Sequence, residues 1–317
     1  MKLKTLSLTV ALSMLLSVST AFADSVSSKG PEITKATIDD GKYEILADGR
    51  TERKIRLIIS GNSAQKMNKS EVQPLPQSIT NEDRRMLEAE DTQKSSDTMQ
   101  SIVANDTIVD VMQYLDFKQG YGQIEQSYKV VLVSGSPATS LSVNLGLYSG
   151  STRYTPFNIV STLSDTVLGS QIKVGKTGSK TINIPRTDYY VQNATITICN
   201  QNGCASNKGS TQTFLANKQA KLYPYYQDPV SYKVMTEPSS TRWLKTTPIE
   251  WTTQDRANYI KQYSELYPNN GYDWSGSVIN IHHIKPREYG GTNDFDNLIP
   301  IPTNFHVYVV NSWWAYY

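Results

Sequence analysis

The sequence predicts an α+β multidomain chain in which a β-rich, sandwich-like middle region precedes a small C-terminal unit ordered strand, loop, strand, helix. Three observations carry that expectation. Between residues 121 and 218, runs rich in β-branched and aromatic residues alternate with Ser/Gly/Thr/Asn turns, the spacing of a short-stranded antiparallel sandwich. Beyond Ser240 the pattern changes to one amphipathic helix and then to two short apolar runs on either side of a Gly-Gly loop. All three histidines (His282, His283, His306) and all five tryptophans (Trp243, Trp251, Trp274, Trp313, Trp314) fall in that last quarter.

Residues 1–23 read as a secretory signal peptide. Met1-Lys2-Leu3-Lys4 is a basic start, Leu6 to Val18 is apolar, and Ala21-Phe22-Ala23 fits the small-x-small cleavage rule. Cleavage after Ala23 is expected, leaving a secreted protein with no stable membrane insertion. Without Lys2 and Lys4 the 31 basic residues become 29, against 29 acidic ones. The mature chain therefore lacks the global basic footprint of many nucleic-acid binders, so any phosphate binding would fall to a local patch or a metal.

Residues 24–120 are polar and mixed. Lys42–Leu46 and Lys54–Ser60 resemble strands, bracketed by Asp-Gly turns. From Ser63 to Ser101 the chain is charged and poor in aromatics, as linkers are, with weak support for a helix at Asn81–Glu90. This third reads either as a propeptide or as a small module docked on the next domain. The sandwich-like domain, 121–218, has expected strands at Tyr128–Ser134, Leu141–Tyr148, Lys180–Pro185 and Tyr189–Cys199. Its two cysteines, Cys199 and Cys204, flank an Asn-Gly turn. An exported hairpin could bring them together as a structural disulfide.

Residues 219–239, with three prolines among tyrosines, read as an ordered connector, and 240–317 as the C-terminal domain. Thr252 and Asp255 suggest a capping box, opening a helix that Pro268-Asn269-Asn270-Gly271 ends. Val278–Ile284 alternates as a strand that Pro286 stops. Arg287–Asp296 forms a loop around Gly290-Gly291, Leu298–Ile301 is a second strand, and Pro302-Thr303 begins a helix carrying His306. On a strand His282 and His283 point to opposite faces and can do different work. Trp313 and Trp314 read as core and helix-end packing.

His-His-Ile-x-Pro, Gly-Gly-x-Asn, Asp-Asn-Leu and a final His, over roughly 273–314, resemble the HNH endonucleases with their ββα-metal site. The resemblance says nothing about residues 24–240. It implies that His282 and His306 are ligands of one divalent metal and that His283 is the general base acting on water. It also implies that Asn297 fixes the loop through backbone hydrogen bonds. Some relatives carry a third ligand histidine one helical turn after the last; here that position is Val310. Two visible protein ligands suit Mg²⁺ with waters and phosphate oxygens, with Mn²⁺, Ni²⁺ or Zn²⁺ as alternatives. Lys285 and Arg287 are placed to meet flanking phosphates.

The implied activity is metal-dependent hydrolysis of DNA, or RNA, with little sequence preference, serving scavenging or antagonism of other cells. A toxin of that kind would meet a cognate inhibitor or immunity protein. The rival expectation is an extracellular binding or structural β-sandwich protein whose C-terminal fold is catalytically silent.

Overall fold

Two antiparallel sheets face each other across one apolar core. The computed structural model describes residues 51–59 and 106–317 except 155–156, with the backbone of 39–40, 44–45 and 50. The expected signal peptide, the charged stretch 63–101 and the weak helix at 81–90 lie outside the described residues. The first sheet contains β1 (Asp39–Asp40), β2 (Glu44–Ile45), β3 (Arg50–Ile59), β4 (Thr107–Lys118), β5 (Gln123–Gly135) and β8 (Thr177–Asn183). Its order is β1-β3-β4-β5-β8, with β2 also on β3. The second has β6 (Ser140–Gly150), β7 (Asn158–Leu168), β9 (Asp188–Asn200), β10 (Gly203–Ser210) and β11 (Phe214–Ala216), ordered β10-β9-β6-β7 with β11 on β9.

Side chains alternate across a strand, so every second residue turns inward. Ile55, Leu57 and Ile59 of β3, Val109 and Val111 of β4, and Tyr128 and Val130 of β5 meet Leu141, Val143 and Leu145 of β6 and Ile196 and Ile198 of β9. The boundary expected at 120/121 is thereby corrected, because it falls in the turn joining β4 to β5, where Lys118 pairs with Gln123. Strands β3 and β4 belong to the sandwich, and removing residues 24–120 as a propeptide would strip two strands from its core. The sequence hid β4 because Asp110 interrupts its apolar run. In the fold that carboxylate is buried between Arg56 and Lys54, at 2.8 and 3.1 Å. Cys199 and Cys204 stand opposite each other across β9 and β10 and are bonded.

In the C-terminal third, α1 (Thr253–Leu266) starts at a complete capping box of Thr252 and Asp255. A hairpin comes next, β12 (Ile279–His283) on β13 (Leu298–Pro302), in a register that pairs His282 with Ile299 and His283 with Leu298. The last helix, α2, spans 303–314 as an α-turn (Thr303–Phe305), a π-turn (His306–Val310) and an α-turn (Asn311–Trp314).

Ile299, Ile301, Val310, Trp313 and Trp314 share a core with Tyr189 and Leu215 of the sandwich and Met235 of the connector. The divisions drawn at 219 and 240 are therefore not breaks in packing, and the described residues of the sandwich, connector and C-terminal third cluster as one compact unit. Among the described residues no helix is long and apolar enough to cross a membrane.

Candidate functional site

The loop between β12 and β13 is shaped by two glycines and one asparagine. Gly290 has φ +82°, which an L side chain rarely adopts. A Cβ on Gly291 would sit 1.8 Å from the Lys285 carbonyl oxygen, so only glycine fits. Asn297 Oδ1 accepts from the Lys285 backbone N–H at 2.8 Å, and its Nδ2 donates to the carbonyls of Lys285 (3.1 Å) and Thr292 (2.8 Å). The Asn297 side chain thus cross-links both ends of the loop.

That loop and α2 assemble the histidines around a cavity of about 420 Å³. His282 Nδ1 lies 3.3 Å from His306 Nε2, joining the strand to the helix. His283 turns instead to the loop, its Nε2 2.9 Å from Asn293 Oδ1, with Trp251 edge-on at 4.9 Å between ring centres. Asn293 Nδ2 donates to the Glu250 carbonyl at 2.8 Å. This orients the amide so that Oδ1 accepts from His283 Nε2–H, which leaves Nδ1 as the ring's lone pair.

Burial pushes the His282 pKa down to about 3, with His306 and His283 lowering it further. Burial also lowers His283, opposed by its hydrogen bond to Asn293 and reinforced by Arg287. His306 is lowered by burial and then by His283. All three rings are therefore neutral at neutral pH, the state needed of a metal ligand or a base.

The expected substrate cations separate. Arg287 lines the histidine cavity and donates to the Ile249 carbonyl at 2.7 Å. Lys285 does not line it. Its ammonium lies 5.1 Å over the Trp243 ring, in a different groove that it shares with Lys233 and Asp294. The turn at Pro286 sends the two side chains apart. Asn293 and Trp251 went unassigned in the sequence. Asn293 stood in the Gly-Gly-x-Asn run, whereas nothing marked Trp251 beyond its place before the capping box.

Among the described residues no group of three or more His, Cys, Asp or Glu is gathered as a metal site. His282 and His306 nevertheless fit part of one. Two nitrogens each ~2.1 Å from a tetrahedral ion stand about 3.4 Å apart, close to the spacing of this pair. His282 Nε2, on the other side of that ring, is buried with no hydrogen-bond partner among the described residues. Comparison with protein-family models, curated proteins and solved structures gives no match.

Proposed function

We propose that this protein is a secreted, metal-dependent endonuclease of the HNH type that hydrolyses phosphodiester bonds of DNA with little sequence preference. One observation carries the reading: two neutral imidazoles meet at 3.3 Å beside a third that an asparagine orients, all in one open cavity. The order of strand, loop, strand and helix, with Asn297 bracing the loop, agrees with the resemblance of the sequence motifs.

His282 and His306 would hold the divalent ion, Mg²⁺ in the first instance. The chemistry supplied by the bound ion is charge neutralisation at the phosphoryl and leaving oxygens. His283 accepts the proton of the attacking water at Nδ1, the nitrogen that the Asn293 hydrogen bond leaves free. Asn297 keeps that ring in place by fixing the loop, and Arg287 offers positive charge to a neighbouring phosphate. The 240–317 segment has six Lys and Arg against seven Asp and Glu, so electrostatic grip is weak and binding should fall as salt rises.

The test is nicking of supercoiled plasmid with Mg²⁺ or Mn²⁺, with chelator and His283→Ala controls. General-base loss lowers the rate by about 10²–10⁴. If wild type and His283→Ala are equally inert with every metal tried, the enzyme reading is overturned in favour of a binding protein with a silent C-terminal fold.

A further inference from the structure

We propose that Asn311 is a third protein ligand of the metal held by His282 and His306, brought into place by the π-turn of α2. The inference rests on the nuclease reading above. In an uninterrupted α-helix the residue four places after His306 returns to its face. That residue is Val310, which is fully buried with Ile299, Ile301 and Trp313. The π-turn closes one residue later, with the Asn311 N–H donating to the His306 carbonyl. Val310 thus stays in the core, and Asn311 takes a position lining the cavity of the three histidines.

The carboxamide of Asn311 is uncommitted. It makes no hydrogen bond among the described residues, whereas the neighbouring Asn280, Asn293 and Asn297 side chains each make one or more. π-Turns inside α-helices recur where function requires one residue to be displaced. A carboxamide oxygen beside two imidazoles makes a harder donor set than three imidazoles. It favours Mn²⁺ or Mg²⁺ relative to Zn²⁺.

The experiment is Mn²⁺ binding to the whole purified chain by calorimetry, without nucleic acid. It compares wild type, Asn311→Ala, Asn311→Asp and His306→Ala, each checked by a metal-free melt. Asn311→Ala should weaken binding by about tenfold or more, and Asn311→Asp, which keeps the shape and adds charge, should tighten it. If both Asn311 variants bind as wild type does while His306→Ala loses binding, Asn311 is not a ligand and the two-histidine site survives. If wild type binds no Mn²⁺, or His306→Ala binds as well as wild type, the metal site and the Asn311 assignment both fail. Should Asn311→Ala not fold, Asn311→Asp decides: unchanged affinity there overturns the assignment.

Discussion

A single amide decides which nitrogen of His283 can act. Glu250 fixes Asn293, Asn293 fixes the Nε2–H tautomer, and Nδ1 is left as the lone-pair nitrogen that the proposed base would use. Because the His283 pKa is lowered, the ring is neutral and competent above that lowered value, and competence is lost as pH falls through it. At saturating metal the acid limb of the rate profile should therefore lie below the ordinary imidazole value of about 6.5. Asn293→Ala removes a hydrogen bond that raises this pKa, so the limb should move lower still while the plateau falls. A limb that stays put in Asn293→Ala, with an unchanged plateau, would separate Asn293 from the base. At this scale the sequence was legible where spacing matters: His282, His283 and His306 line one cavity, and Asn297 binds the backbone of the loop beside them. It was silent on direction. Whether Lys285 or Arg287 joins the histidines depends on how the chain leaves Pro286, which composition does not encode.

Elements are held to one another by buried polar hubs as well as by apolar faces. Asp228, in the connector, is fully buried and accepts hydrogen bonds from Ser231, from Tyr263 of α1 (2.5 Å) and from Tyr272. Burial alone would raise its pKa, but those hydrogen bonds outweigh it and the net shift is downward. Its stabilisation is therefore complete above the unfolded carboxylate value near 3.8 and is lost as pH falls through the lower folded value. Asp228→Asn should cost about 2 kcal/mol at pH 7 in urea melts, with the gap to wild type closing in strong acid. An equal gap at both extremes would mean the charge is immaterial. The capping box and both hairpin strands could be read in advance because each is a local pattern. The π-turn could not, since its cause is the demand of a distant core for Val310.

Across the whole molecule, the C-terminal third borrows its core. Trp313 packs edge-on against Tyr223 at 4.8 Å between ring centres, its Nε1–H donates to the Lys221 carbonyl, and Thr187 Oγ1 donates to the Tyr316 carbonyl. Burying a tryptophan of this kind is worth about 3–5 kcal/mol by comparison with truncation to alanine. A 240–317 fragment leaves that surface bare, and we expect broad, poorly dispersed amide resonances in place of a cooperative fold. A fragment that melts sharply would show the sandwich to be dispensable. The sandwich itself was half legible. Strands β5, β6 and β9 alternate openly, but β7 and β8 bury almost none of their side chains, and β4 depends on an ion pair formed with β3 across a long stretch of chain.

Strand β9 has one end in each district of the protein. Its first residues, Asp188 and Tyr189, bond to Arg242 and the Pro238 carbonyl beside the histidine unit, and Cys199 near its other end carries the disulfide. At ~3.4 Å per residue those ends are about 40 Å apart. A thiol reductant therefore acts on a hairpin tip remote from the histidine cavity, and a fluorophore attached there after reduction would report on the molecule without crowding that cavity.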